Sequence, residues 1–231
     1  TTAGSEAVNV TTTGGAIIDG GDAGGEDVVT DEGGRAAFSA VNGIGSGDAI
    51  ETDIGSIEAV NTAAGTIEIN ETDDIALYNV DNGVRNVIIT AGGAIADGND
   101  GNTVLTASAA DLTAENGIGD GDSIQMNVDT ITAANNTANS IDLTEVDNVA
   151  LGVVTNAGRD VYLTATAGTI TDDANDAAAD VVAARLYVNS QGFGEAPATG
   201  NEDIDTELAA LEAHSTTGGV YVTDRSGDLT L

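Results

Sequence analysis

The sequence predicts an all-β fold, a right-handed parallel β-helix (β-solenoid) with coils of about 20 residues. In residues 161–164, Val and Leu alternate with Tyr and Thr, the period of two that is typical of a strand with one buried face. Related phrases begin at Val8, Val87 and Val161. Their intervals are about 79 and about 74 residues, and self-similarity of this kind indicates a repeat protein.

A shorter repeat, of about 20 residues, lies within this longer repeat. Ile67 and Val87 are separated by about 20 residues, as are Ile141 and Val161, which is a period found in solenoids. Strands one step apart share their alternation, so each can stack on its equivalent in the next coil, in parallel and ~4.8 Å away. Right-handed coiling is the default for such connections. An antiparallel sandwich is the alternative fold, but it does not explain this short self-similarity. The buried pairs predicted by this step are Ile67 with Val87, Ile69 with Ile89, Ile141 with Val161, and Leu143 with Leu163.

The chain divides into three related units, at about 8–86, 87–160 and 161–231, with the terminal units incomplete. Together they form one continuous solenoid of about four coils per unit, or roughly 11 to 12 coils in all at ~4.8 Å each. Each unit carries a Gly-x-Ile turn, a Gly-Ile-Gly element (Gly192-Phe-Gly194 in the third) and alternating strands. Only residues 203–214 also have apolar residues at the spacing of one face of a helix, and we expect at most one helical turn there.

The composition excludes several classes of function. Five arginines and no lysine face 39 acidic residues, a net charge of −34, so repulsion disfavours nucleic acid and anionic membrane surfaces. No cysteine is present, which excludes disulfides and thiolate metal sites. No apolar segment is long enough to span a bilayer, so we expect no membrane insertion. With 3% aromatic residues, the core must be built from aliphatic layers.

The third unit carries the pattern of a known family. Gly192-Phe-Gly194, Pro197, residues 204–213 and Gly218-Gly-Val-Tyr-Val-Thr223 resemble repeats of filamentous-haemagglutinin-like exoproteins and related giant bacterial surface adhesins. All three units share the pattern, so the resemblance covers nearly the whole chain. It implies a right-handed β-helix with an elongated, extracellular, adhesive or structural role, and it carries over no catalytic residue.

Candidate catalytic groups are few. His214 is the only histidine, so no multi-histidine metal site is possible, and a solvated turn residue is the simpler interpretation. Arg85 and Arg159 occupy equivalent positions, since Arg85 shortly precedes Val87 and Arg159 shortly precedes Val161. Because an active site is made once and this arginine recurs, we expect both to pair with carboxylates of neighbouring coils. The sequence therefore predicts no catalytic residue and no enzyme activity.

Calcium is the candidate ligand. The pattern Ile-x-Asp-x-x-Asp places Asp19 and Asp22 in the first unit and Asp97 and Asp100 in the second, with Asp172 at the first of these positions in the third. Carboxylate and turn carbonyl oxygens are the ligands that Ca²⁺ prefers. The nonapeptide of calcium-binding β-rolls and the EF-hand loop are both missing. Plain acidic turns are the alternative interpretation.

These observations favour a non-catalytic structural segment of an extracellular filament or giant cell-surface adhesin. The alternatives are a polysaccharide-active β-helix enzyme, which would need one non-repeated polar groove, and a calcium- or carbohydrate-binding module. The expected partners are the chain itself, stacked end to end, and a carbohydrate or another cell's surface. Leu229 is the counterpart of Ile75, and Val8 resembles the strand due next, so we expect this sequence to follow itself in a filament or in one giant chain.

Overall fold

The computed structural model describes residues 6–21, 25–30, 33–174, 176–196 and 203–231. Within these ranges the chain is all-β without a helix, a parallel sheet stacked as a β-solenoid of about 9 turns with about 21 residues per turn. The predicted β-solenoid is thus confirmed. Over the same residues, no helix has the length and apolarity needed to cross a membrane.

The strands are short, except where one continues around a corner of the solenoid. In chain order they are β1 Glu6–Thr11, β2 Val28–Val29, β3 Arg35–Ala40, β4 Ile50–Asp53, β5 Ser56–Asn61, β6 Ile67–Glu71, β7 Ile75–Asp81, β8 Val87–Ala91, β9 Ile95–Asp97, β10 Leu105–Ala114, β11 Ile124–Asn135, β12 Ile141–Glu145, β13 Val149–Ala165, β14 Thr169–Asp172, β15 Val181–Ser190, β16 Gly192–Phe193, β17 Ile204–Glu207, β18 Ala210–Ser215 and β19 Val222–Asp224.

The predicted strand register is confirmed. All four predicted residue pairs are neighbours in parallel ladders between β6 and β8 and between β12 and β13. Their eight side chains are 0–4% exposed, while residues between them in sequence, such as Ile88 and Asp142, point outward. Period-two alternation therefore fixes which side chains enter the core.

The strands form two faces that enclose one hydrophobic core. Face one contains an aliphatic stack that rises one turn at a time from Ile17, and face two contains a second stack that rises from Ile75. The first comprises Ile17, Ile44, Ile67, Val87, Ala110, Ile131 and Leu151. The second comprises Ile75, Ile95, Ile118, Ile141, Val161, Leu186 and Leu211. Aliphatic residues fill most of the core layers, and two aromatic residues, Phe38 and Phe193, are buried among them.

The solenoid has fewer turns than the roughly 11 to 12 that a strict coil of about 20 residues predicts. The step between stacked residues is longer in two places, from Ile17 to Ile44 and from Leu186 to Leu211. Turn residues extend outward at little cost to the stack, so length varies there. The segment 203–214, which also fitted a helical stripe, forms strands β17 and β18 instead, because neighbouring strands pair with both.

Each unit spans about three and a half turns and not four, since the interval from Val87 to Val161 is divided among turns of about 21 residues. Equivalent strands therefore alternate between the two faces. Ile67 stacks between Ile44 and Val87 on face one. Its equivalent Ile141 lies on face two beside Ile118, and the corresponding valine of the third unit, Val220, returns to face one. Successive units are thus related by a half rotation about the solenoid axis.

Buried asparagines stabilise the corners. Asn61 donates to Asn82 Oδ1 (2.7 Å) and accepts the Gly43 N–H (2.9 Å). One unit later, Asn135 donates to Asn156 (2.9 Å) and accepts the Gly117 N–H (2.8 Å). The glycine is required at this corner: Gly117 has a φ of 111°, and a Cβ there would lie 2.9 Å from Asn139 Cβ. These bonds satisfy turn groups that the sheet leaves without partners.

Candidate functional site

In the first unit, the Ile-x-Asp loop brings acidic side chains of two coils together. Asp19 follows Ile17, and carboxylate oxygens of Asp19, Asp27 and Glu51 lie within 4.8 Å of one another. Burial, followed by the charges of Asp19, Asp27 and Asp48, raises the pKa of Glu51 although a backbone hydrogen bond opposes the change. The other predicted residue of this loop, Asp22, lies outside the described residues. The composition of this trio, three carboxylates, suits a hard divalent cation.

The second unit repeats the arrangement more loosely. Asp97 accepts the Asn99 N–H (2.7 Å), and Asp100 approaches Asp122 of the next coil. A hydrogen bond with Asp100, then burial and the charges of Asp100 and Asp97, raise the pKa of Asp122. The structure therefore brings the predicted pair together and adds Asp122, but within the described residues these three do not form a trio as compact as that of the first unit.

In the third unit three acidic residues near the predicted loop are buried. Asp172, Asp180 and Asp205 are 8%, 6% and 0% exposed. Asp180 accepts the Asp205 N–H (2.7 Å), and Arg225 forms an ion pair with Asp205 (2.7 Å). Burial, together with the charges of Asp172, Asp205 and Asp173, raises the pKa of Asp180 to about 7, although the Asp205 N–H opposes this change. Calcium binding by these loops stays a prediction in all three units.

A different set of carboxylates, which sequence reasoning missed, holds the turns together once per unit. Glu145 is 1% exposed and accepts the N–H groups of Val128 (2.9 Å) and Val146 (2.8 Å). Its equivalent Glu71 accepts the Ile54 N–H (3.1 Å) and the Thr52 hydroxyl (2.7 Å). The signal was available in the repeated patterns Ile-x-Ile-x-Glu and Ile-x-Leu-x-Glu.

These buried turn carboxylates differ in their pKa. Burial raises the pKa of Glu145 to about 7 even though three backbone N–H groups oppose the change. Burial likewise raises the pKa of Glu71. At the third equivalent, Asp224, partial burial acts in the same direction, but hydrogen bonds from Leu208, Ser226 and Thr206 outweigh it and lower the pKa. Glu71 also belongs to a second compact trio, with Asp53 and Asp73.

The candidate cationic residues adopt contacts other than those expected. Arg85 and Arg159 donate to the main-chain carbonyls of Asn82 and Ala157 (both 3.3 Å). Neither forms a salt bridge with a carboxylate of the described residues, so the predicted pairing between coils is wrong for both. The side chains are held within their own turns. His214 lies in strand β18, not in a turn, with Nδ1 3.3 Å from Asn189 Oδ1.

Comparisons with known proteins leave the family open. No protein-family model matches the chain, and neither a curated protein nor a solved structure does. The parallel β-solenoid is compatible with a β-helix repeat protein, whereas the resemblance to giant adhesins rests on the sequence pattern. Function is therefore inferred from the surface and the stacking of this chain.

Proposed function

We propose that this chain is a non-catalytic structural segment of an extracellular filament or giant cell-surface adhesin. The observation that supports this proposal is the repetition itself. The two aliphatic stacks, from Ile17 to Leu151 and from Ile75 to Leu211, overlap along the solenoid, and each successive unit adds about three and a half turns. Such an architecture extends by adding units, each of which contacts only its neighbours. A long rod is the product of that geometry, and end-to-end continuation of the same stacks would lengthen it.

The surface supports an extracellular location in a salty medium. Over about 9 turns, or ~43 Å at ~4.8 Å per turn, the net charge is −34. The resulting density of about one charge per 1.3 Å exceeds the one per ~1.7 Å of duplex DNA. A rod of this charge stays dispersed from other rods and from anionic surfaces, and dissolved cations screen the repulsion between its own turns.

Immunogold electron microscopy on cells that carry the gene tests the proposal. An antibody raised against the purified chain should label thin unbranched fibres outside the cell, and cells without the gene should not be labelled. X-ray diffraction from oriented fibres should give an axial reflection near ~4.8 Å. Labelling confined to the cell interior would contradict the proposal. So would cleavage of a polysaccharide by the purified chain.

A further inference from the structure

A groove on face two stands out because it is not repeated. The outward side chains of Tyr162 and Tyr187 are in register in the β13–β15 ladder. Their rings stack with centroids 4.7 Å apart and planes 5° apart. The same ladders place Asp142 one strand before Tyr162 and Glu212 one strand after Tyr187. The position equivalent to Tyr162 in the preceding unit is Ile88, so the aromatic pair belongs to this part of the solenoid.

Two cavities adjoin the tyrosine stack and share Tyr162. The first, of about 500 Å³, lies toward the turn at residues 137–140. The second, of about 300 Å³, lies along both rings. The polar residues lining the first are Asp120, Thr137, Asn139, Ser140, Arg159 and Asp160, and those lining the second are Thr164, Asn189, Glu212 and His214. The groove thus combines an aromatic wall with closely spaced donors and acceptors.

A partly exposed ion pair adjoins the tyrosine stack. Arg185 donates Nε to Asp160 Oδ1 (3.0 Å) and Nη2 to Asp160 Oδ2 (2.9 Å), a two-point contact across neighbouring strands. Its guanidinium also lies 6.0 Å from the Tyr187 ring centroid. Two of the four tyrosines, two of the five arginines and the single histidine of the chain therefore meet at one place. In a sequence so poor in these residues, that concentration points to recognition of a ligand and not to a requirement of the coil.

We propose that this groove binds a neutral oligosaccharide of pyranose rings, with a sugar ring packed against the free face of a tyrosine of the stack. Sugar rings have apolar C–H faces that pack on aromatic side chains, and their hydroxyls pair with carboxylate, amide and guanidinium groups. Each tyrosine keeps one ring face turned away from its partner, toward the Asp142 or the Glu212 level.

Charge selects among glycans. The groove carries four carboxylates, at Asp120, Asp142, Asp160 and Glu212, against two guanidinium groups, and the whole chain carries −34. Polyuronides and sulfated glycans are therefore repelled, whereas neutral chains are not. This inference goes beyond the proposed structural role and does not depend on it, since a rod segment can stay a rod with or without a bound glycan.

Titration with cellohexaose and with N-acetylated chitohexaose tests the inference, with hexagalacturonate as the anionic counterpart. Two of the four tyrosines line the groove and the chain has no tryptophan, so tyrosine fluorescence can follow binding, and calorimetry provides a measurement to which Tyr78 and Tyr221 add no background. At least one neutral hexasaccharide should bind saturably, with a Kd below about 10 mM. Tyr162→Ala and Tyr187→Ala should each weaken binding about fivefold to tenfold, the size expected for loss of an aromatic contact.

Tyr78→Ala is the matched control. Tyr78 packs against Arg35 (5.2 Å from ring centroid to Cζ) outside the groove, so its removal should leave the affinity unchanged. Glu212→Gln, at an exposed position, should weaken binding severalfold without disturbing the fold, which covers the case in which a tyrosine variant fails to fold. Absence of saturable binding by both neutral probes would overturn the inference. Equal binding of hexagalacturonate, or unchanged affinity in folded Tyr162→Ala, Tyr187→Ala and Glu212→Gln variants, would also overturn it.

Discussion

Glu145 gives the sharpest test of how burial and hydrogen bonding compete in this solenoid. Its carboxylate is 1% exposed and accepts N–H groups from Val128, Val146 and Asp147. Burial favours the protonated carboxyl, whereas the three donors favour the carboxylate. Burial has the larger effect and raises the pKa of Glu145 from 4.5 to about 7. A change of pH from 5 to 8 should therefore alter stability through this one side chain.

The direction and the size of this pH effect on stability follow from the linkage between protonation of Glu145 and folding. Because the folded-state pKa lies above the unfolded one, the folded chain binds more protons between pH 4.5 and about 7, and stability falls as pH rises through that window. The stabilisation is fully present below about pH 4.5 and is lost above about pH 7. The difference between 4.5 and about 7 corresponds to at most about 3 kcal/mol, at ~1.4 kcal/mol per pH unit.

Comparison of the wild type with Glu145→Gln isolates this effect. The amide oxygen of Gln can still accept from Val146 and Asp147, but its NH₂ group would face the Val128 N–H, so the variant loses a constant amount of stability at every pH. Urea unfolding at pH 5, 6, 7 and 8 gives the free energy of unfolding of both proteins. The margin by which the wild type is more stable than Glu145→Gln should be largest at pH 5. That margin should shrink by up to about 3 kcal/mol toward pH 8. The reasoning is refuted if the margin stays constant or grows with pH, because the three N–H donors would then outweigh burial.

Two further predictions concern the core and the charge. Ile89→Asp, at a side chain 0% exposed, should lower the free energy of unfolding by about 3–5 kcal/mol. Ile88→Asp, at a side chain 37% exposed, should cost about 1–2 kcal/mol, because its ladder neighbours Glu68 and Asp111 carry like charge; equal urea midpoints for the two variants would contradict the two-sided strand. At a net charge of −34, the thermal midpoint should rise from low salt with chelator to high salt, and should rise further with Ca²⁺ at matched ionic strength. A thermal midpoint that responds neither to high salt nor to Ca²⁺ would show that self-repulsion between turns is unimportant.

Much of the fold could be predicted from the sequence because it depends on local periodicity. Side chains alternate along a strand with a period of two, so the pattern of a strand such as 161–164 is enough to identify its buried residues. A strand that stacks on a copy of itself must be parallel and in register, so the short repeat step predicted the pairing of Ile67 with Val87 and of Ile141 with Val161. The Ile-x-Asp pattern likewise identified loops that the structure shows to be acidic clusters.

Only the tertiary structure shows how far each unit is rotated about the solenoid axis relative to the preceding one, and how the loops produce that rotation. Whether a unit makes three and a half turns or four depends on how far each loop extends outward, and spacing in the sequence does not reveal this. That half turn places equivalent loops on opposite faces. The groove has the same origin. The regular step from Tyr162 leads to Val182, but the loop after β14 lengthens the local turn, and Tyr187 thereby stacks on Tyr162. Local periodicity thus specified the strands, while the lengths of the turns between them decided which outward side chains meet.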